Sequence, residues 1–162
     1  MKRIINPWKK DTGNRYDYNC FGCSPFNDIG LQLEFWEDGD ELIATWLPRK
    51  SLEGWMGVLH GGIQATLLDE IAGWIVMIKM KTAGVTAKMD IEYFKPLIIS
   101  KGEIRIRGRV VSVEKRLVVI ECWLNDGEGV ECAKGKITYF YFPERIAKAK
   151  YHYPGIEAFY EN

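Results

Sequence analysis

One apolar segment constrains the fold of this 162-residue chain more than any other feature. From Ile63 to about Lys81, hydrophobic residues recur at helical spacing around much of the circumference, which predicts a mostly buried helix. Six other segments have the alternation or the residue types of strands. They are residues 31–36, 41–47, 85–94, 102–113, 116–124 and 130–142. A single buried helix beside one sheet is covered only if the twisted sheet curls round it.

The order of these segments predicts an α+β architecture. We expect an antiparallel sheet of about six strands wrapped around one long central helix, with the last four strands in a meander. Gly84 is expected to stop the helix in the left-handed conformation. Residues 1–30 are predicted to form an N-terminal arm and loop, residues 31–142 the domain, and residues 143–162 a tail with one helical turn. The length is that of about one domain.

The charge balance excludes several classes of partner. Lysine and arginine together number 22, as do aspartate and glutamate, and no long run of like charge occurs. The chain therefore lacks the basic footprint expected of a protein that binds nucleic acid or a membrane surface. The first residues, Met1 to Trp8, lack the apolar core of a signal peptide. We expect a cytoplasmic protein with no nucleic-acid or membrane partner.

The four cysteines do not form a recognisable framework. Cys20 and Cys23 make a C-x-x-C motif, whereas Cys122 and Cys132 lie on predicted strands. A zinc site would need a second pair of ligands at such a spacing, and a redox motif would open a helix after a strand. A structural loop is therefore the first interpretation, and a metal site or a redox site are the alternatives. No metal and no cofactor is expected.

A glycine pair at the start of the predicted helix indicates a functional site. His60 precedes Gly61 and Gly62, and Asp69 lies two turns further along, among leucines. The N-terminus of a helix offers unpaired N–H groups and partial positive charge, which suit an oxygen that gains negative charge. An aspartate among apolar residues loses solvation, so it is tolerated only with hydrogen-bonding partners or where it has a function. The alternative is that the glycines only permit close packing and that Asp69 bonds the backbone.

Several motifs together with this topology resemble the hotdog-fold acyl-CoA thioesterases, in particular the phenylacetate-pathway (PaaI-like) branch. The resemblance covers about residues 17–142, and it also includes the lead-in Asn19 to Cys23 with Asn27 to Leu31. The motifs that carry it are His60-Gly61-Gly62, Asp69-Glu70, Met89 to Pro96 and Gly108 to Val111. The combination is specific for the fold and less specific for the substrate.

The resemblance implies roles for single positions. The Gly61 N–H would be the oxyanion donor, Asp69 the helix carboxylate, and Thr86 a polar residue on the strand after the helix. At about 1.5 Å per residue, Gly61 and Asp69 are about 12 Å apart along one helix, too far for both to act on one carbon. As in related enzymes, Gly61 of one chain would face Asp69 of a second chain. A homodimer or a homotetramer is therefore expected.

This chain departs from the family at Gly54, where many members carry asparagine or glutamine. In those members this side chain helps to hold water or the acyl group. Gln64 or Thr86 are the candidate substitutes here, and both are predicted to bind substrate.

Other residues complete the predicted site. His60 is assigned to the catalytic group, with hydrogen bonding at the helix entry as its first role. Gly62 is predicted to bind substrate, and Trp55 and Met56 to line an acyl pocket. Glu70 is the reserve acid.

The resulting prediction is hydrolysis of acyl-CoA thioesters, with coenzyme A entering as part of the substrate. A non-catalytic acyl-CoA or fatty-acyl binding protein of the same fold is the alternative. A dehydratase of this fold is a third hypothesis. It is weaker than the other two, because His60 and Asp69 do not obviously supply the His and Glu arrangement of those enzymes.

Overall fold

One antiparallel sheet and one long helix form most of the structure, a computed structural model that describes residues 1–9 and 18–161. Residues 10–17 of the predicted arm lie outside the described residues. In this part of the chain the strands are β1 (Lys2–Ile4), β2 (Phe35–Asp38), β3 (Glu41–Trp46), β4 (Gly84–Tyr93), β5 (Ile104–Glu114), β6 (Leu117–Asn125) and β7 (Glu131–Tyr141). The helices are α1 (Gly61–Lys79) and α2 (Glu144–Tyr151). The α+β prediction is confirmed.

The strand order is β1-β2-β3-β5-β6-β7-β4, and each neighbouring pair is antiparallel. The predicted four-strand meander after the helix is therefore wrong in one respect. Strands β5, β6 and β7 do form a meander, but β4 pairs with β7 at the far edge of the sheet. Sequence order cannot show this, because β4 and β5 are joined by a loop long enough to cross the end of the sheet.

The sheet curls around α1, whose buried side chains contact the inner faces of the strands. By length and composition alone α1 would pass as a membrane span, yet half of that window is buried inside the fold. This is the pattern of a core helix. Its buried residues are Gln64, Leu67, Leu68, Ile71, Ala72, Trp74, Ile75, Val76 and Ile78.

The C-terminal end of α1 differs from the prediction. The cap is Met80, and Lys81 takes the left-handed conformation with φ of 55°. Gly84 instead begins β4, opposite Tyr141. The helix therefore ends before the glycine that the sequence pattern suggested.

The first 34 residues, predicted mainly as an arm and loop, also contribute a strand to the sheet. Lys2–Ile4 pairs with β2 and so adds an edge strand to the predicted six. The segment 31–34 is not a strand, although Leu31 and Leu33 are buried in alternation as predicted. Their N–H groups bond the Phe21 and Gly22 carbonyl groups at 2.7 and 2.9 Å, so this segment pairs with the C-x-x-C turn.

The C-terminal tail packs on the core. It forms the two-turn helix α2, longer than the one turn expected, followed by buried Tyr153 and Phe159. The Tyr153 hydroxyl donates to the Met77 carbonyl oxygen at 2.9 Å, and the Phe159 ring meets Trp74 edge-on at 5.8 Å. The tail thus covers the C-terminal half of α1.

Candidate active site

The side chain of His60 organises the N-terminus of α1. Its Nδ1 accepts a hydrogen bond from the Gly62 N–H at 2.9 Å, and its carbonyl oxygen accepts the N–H groups of Ile63 and Gln64. Within the described ranges, the Gly61 N–H is left without an acceptor. This free donor and the helix dipole suit an oxygen that gains negative charge.

An open groove of about 360 Å³ borders the Gly61 backbone. Its walls come from the segment before α1 and from the end of β4, and they include Val58, Tyr93 and Phe94. Tyr93 donates its hydroxyl to the Gly61 carbonyl oxygen at 2.7 Å and so ties β4 to the helix start. A Cβ at Gly61 would lie 3.7 Å from the Tyr93 ring, an ordinary contact. The chain itself therefore leaves space beside Gly61.

Gln64 also lines this groove and is buried. Its Nε2 donates to the Leu59 carbonyl oxygen at 2.9 Å, whereas its Oε1 has no partner in the structure as described. Buried amide oxygens are nearly always paired, so this oxygen is available to a donor that enters the groove, such as water.

Asp69 lies two turns further along α1 and is half-buried, with one carboxylate oxygen held by two hydroxyl groups. Thr86 on β4 donates to Oδ1 at 2.8 Å. The Tyr139 hydroxyl on β7 lies 2.8 Å from the same oxygen and 2.9 Å from the Asp69 carbonyl oxygen. Burial and the adjacent Asp69 charge raise the pKa of Tyr139 above its usual value, so Tyr139 stays a donor. Oδ2 makes no hydrogen bond to a described residue.

The register of β4 and β7 places Thr86 directly opposite Tyr139. Paired side chains share a face of the sheet, so both hydroxyl groups reach α1 from the same side. Glycine at position 73, one turn beyond Asp69, permits this approach, because a Cβ there would lie 3.1 Å from the Tyr139 hydroxyl oxygen.

Thr86 is one of the predicted residues, whereas sequence reasoning missed Tyr139. The available signal was a tyrosine at an inward-facing position of an apolar strand, since a buried tyrosine hydroxyl needs a partner.

The carboxyl group next to Asp69 lies in a different environment. Glu70 accepts a hydrogen bond from the Trp74 Nε1 at 3.1 Å, and its oxygens are 3.5 and 3.6 Å from the Cys20 sulfur. Burial raises the pKa of Glu70 to about 8. Adjacent helix residues are about 100° apart, and the structure accordingly places the predicted reserve acid away from Thr86 and Tyr139.

The loop before α1 carries the residues predicted to line an acyl pocket. Trp55 and Met56 are 87% and 92% exposed in the single chain, and neither borders the groove at Gly61. The Gly54 N–H donates to the Val58 carbonyl oxygen at 2.9 Å and closes this loop. Two large apolar side chains held in solvent are typical of a surface that another molecule covers.

Strand β4, which carries Thr86, is an edge of the sheet and is exposed along most of its length. Residues 85–90 are all exposed. They include Val85 at 42% and Met89 at 36%, and Tyr93 near the strand end is 49% exposed. An unpaired edge with apolar side chains is a template for pairing with another chain. The edge nearest Asp69 is therefore suited to a second subunit.

Comparison with known proteins identifies the family. The sequence model of the thioesterase superfamily matches residues 56–133, which contain Gly61 and Asp69. A candidate esterase of Saccharolobus solfataricus is 33% identical over 120 residues, which are 74% of this chain and 78% of that protein.

Two solved structures are similar in sequence and in fold. A hypothetical thioesterase of Streptococcus pneumoniae, solved with coenzyme A, is 25% identical with a TM-score of 0.63, covering 69% of this chain and 87% of that one. A Streptococcus mutans protein bound to acetyl-CoA is also 25% identical, with a TM-score of 0.62, covering 69% of this chain and 90% of that one. The sequence match, the relative and the wrapped central helix agree: this chain belongs to the thioesterase superfamily and has its hotdog fold.

Proposed function

We propose that this protein hydrolyses acyl-CoA thioesters to the free acid and coenzyme A. The observation that carries the proposal is the environment of Asp69, whose Oδ1 is held by Thr86 and Tyr139 while Oδ2 bonds none of the described residues. The Gly61 N–H supplies the complementary group, a donor at a helix N-terminus that bonds no acceptor among the described residues. The streptococcal structures that hold coenzyme A and acetyl-CoA support this ligand class. We also propose that the protein belongs to the PaaI-like branch of the superfamily.

In the proposed reaction the thioester carbonyl oxygen accepts the Gly61 N–H and becomes an oxyanion in the tetrahedral intermediate. Removing one such donor from an enzyme costs about 3 kcal/mol in the transition state. Asp69 acts through Oδ2, either as general base toward water or as a nucleophile that forms a mixed anhydride, which water then cleaves. In both routes the C–S bond breaks and the thiolate of coenzyme A leaves and takes up a proton.

The proposed site is shared by two chains. The Gly61 and Asp69 backbones are separated by eight residues of one helix, about 12 Å along its axis, so a single thioester carbon does not reach both. The exposed apolar edge of β4 offers the surface by which a second chain brings its own Gly61 to Asp69. The protein is therefore proposed to be a homodimer or a homotetramer.

The remaining predicted residues have proposed roles in this arrangement. His60 holds the helix start through Gly62. The Gln64 Oε1, which has no partner among the described residues, accepts from water in the groove. Trp55 and Met56 are proposed to cover the acyl chain once the second subunit is present. The proposed chemistry uses only these groups, water and the thioester.

A binding protein for acyl-CoA is the second candidate, favoured by Gly54. Many relatives of this fold carry a polar side chain there, and glycine offers none. Such a protein would retain the pocket without turnover.

The test measures thiol release from acetyl-CoA, hexanoyl-CoA, palmitoyl-CoA and phenylacetyl-CoA. General base or nucleophilic groups contribute about 10²-fold or more, so Asp69→Asn is expected to lower kcat at least a hundredfold. Asp40→Asn is the matched control, because Asp40 is exposed in the turn between β2 and β3. A single turnover in ¹⁸O water tests the anhydride route. Label in Asp69 would show that water cleaves an anhydride at the Asp69 carbonyl, a result that the general-base route does not give.

Equal release by wild type, Asp69→Asn and Asp40→Asn would overturn the hydrolase proposal. A melting temperature that rises with coenzyme A while none of the thioesters turns over would favour the binding protein, because a ligand of the native state raises apparent stability.

A further inference from the structure

Two cysteines and a glutamate meet on the side of α1 that faces away from Thr86 and Tyr139. Cys20 and Cys23 come from the C-x-x-C turn, and Glu70 comes from the helix. One sulfur or oxygen atom of each residue lies within 4.8 Å of the other two. Cys23 is buried and the other two are half-buried. We propose that Cys20, Cys23 and Glu70 bind a thiophilic divalent cation, Zn²⁺, that fastens the N-terminal segment to α1.

The distances fit tetrahedral coordination. A zinc–sulfur bond of about 2.3 Å and a zinc–oxygen bond of about 2.0 Å at the tetrahedral angle put sulfur and oxygen about 3.5 Å apart. The Cys20 sulfur lies 3.5 Å from Oε1 of Glu70 and 3.6 Å from Oε2. By the same geometry, two sulfur atoms on one zinc ion are about 3.8 Å apart. The Cys20 and Cys23 sulfur atoms lie within 4.8 Å of each other in the structure. The Cys20–Glu70 distances therefore match those of a zinc site, and the ligand atoms of the other two pairs lie within 4.8 Å of each other.

The turn is shaped around the carboxylate. A Cβ at Gly22 would lie 2.2 Å from Oε2 of Glu70, so only glycine allows the turn to pack directly on this group. The Ser24 N–H bonds the Cys20 carbonyl oxygen at 3.1 Å, and the Phe21 and Gly22 carbonyl groups are bonded by Leu31 and Leu33. Both thiols are thus presented to Glu70 by a backbone that is already held in place.

The outer contacts orient the proposed ligands. Trp74 donates its Nε1 to Oε1 of Glu70 at 3.1 Å, which leaves Oε2 for the metal. The Tyr18 hydroxyl oxygen lies 2.6 Å from the Cys23 sulfur, and it donates to that sulfur once the thiol has lost its proton. Metal ligands are commonly held by partners of this kind. The fourth coordination position is assigned to water.

The charge balance also favours a cation. Glu70 forms no ion pair with a lysine, arginine or histidine of the described residues. A half-buried carboxylate beside two thiols is unfavourable as an anion without a positive partner. A divalent cation supplies that charge and converts both thiols into ligands. Two thiolates and one carboxylate suit zinc better than magnesium or calcium, which prefer oxygen.

The test measures metal content and metal binding, with no use of activity. Purified full-length protein, stripped with a chelator, is titrated with Zn²⁺ and with Co²⁺. We expect one equivalent to bind, thiolate-to-cobalt charge-transfer absorption, and protection of Cys20 from alkylation. Cys20→Ser, Cys23→Ser and Glu70→Gln are expected to weaken binding at least about tenfold, while Cys132→Ser, which alters a buried cysteine elsewhere, binds as wild type does.

The cobalt absorption identifies thiolate ligands in the wild-type protein, so the test does not depend on variants that fold poorly. Absence of that absorption with a stoichiometric amount of cobalt, or a Cys20–Cys23 disulfide in the freshly purified protein, would overturn the proposal. Equal loss of binding in Cys132→Ser and Cys20→Ser would also overturn it. None of these outcomes bears on Asp69 or on thioester hydrolysis.

Discussion

Tyr139→Phe removes one hydroxyl group from Asp69 and tests whether the orientation of that carboxylate matters. The hydroxyl oxygen lies 2.8 Å from Oδ1 and is buried on β7. A hydrogen bond to a charged group contributes about 1.5–3 kcal/mol, which corresponds to about ten- to a hundredfold in rate if the bond is fully retained in the transition state. The Thr86 bond to the same oxygen is equally short but exposed, so water replaces it more readily.

We therefore expect kcat for thiol release to fall about ten- to a hundredfold in Tyr139→Phe and only about threefold in Thr86→Val. The double variant should lose more than the product of the two single losses, because each hydroxyl group alone still fixes Oδ1. KM should change little, since in the structure both hydroxyl groups bond Asp69.

Tyr141→Phe is the matched control for this experiment. Tyr141 lies two residues further on β7, and its hydroxyl donates to the Lys115 carbonyl oxygen at 2.9 Å, away from Asp69. The melting temperature of each variant is measured by circular dichroism, so that activities are compared on folded protein. Equal kcat in Tyr139→Phe and Tyr141→Phe would refute the argument that Oδ1 must be held for Oδ2 to act.

Three further outcomes are expected. His60→Ala removes the acceptor of the Gly62 N–H, and loss of an N-cap should lower the free energy of unfolding by about 1 kcal/mol in urea titrations; an unchanged midpoint would contradict the capping role. Burial alone would raise the pKa of the Asp126 carboxyl. Hydrogen bonds from backbone N–H groups and from Lys101 have the larger effect and lower that pKa below its usual value of 3.8. Asp126 therefore stabilises the fold above about pH 4, and this contribution is lost as the pH falls through its lowered pKa; the acid branch of the stability profile should flatten in Asp126→Asn. Met89→Lys places a charge on the exposed edge of β4 and should shift the protein from dimer to monomer in light scattering, whereas Leu47→Lys, on an exposed loop, should not.

Much of the fold could be predicted because local patterns carry it. The helical spacing of apolar residues from Ile63 onward and the alternation in the later strands correspond to α1, β5, β6 and β7 within a few residues. The errors concern pairing. Residues 31–34 alternate like a strand, but they bond the C-x-x-C turn. Lys2–Ile4 forms a strand that the sequence pattern did not predict. The partner of a short segment depends on distant residues, so its own sequence does not specify it.

The sequence by itself determined the chemistry available at the two ends of the helix motif. The helix start is shaped by His60, Gly61 and Gly62. The spacing between Gly61 and Asp69 prevents these two residues of one chain from acting on the same carbon. Only the tertiary structure decided which groups surround the carboxylates. The pairing of β4 with β7 brings Thr86 and Tyr139 to Asp69, and the curl of the N-terminal segment brings Cys20 and Cys23 to Glu70. Adjacent residues on a helix point to different sides, and what lies on each side depends on how distant strands and loops pack against it.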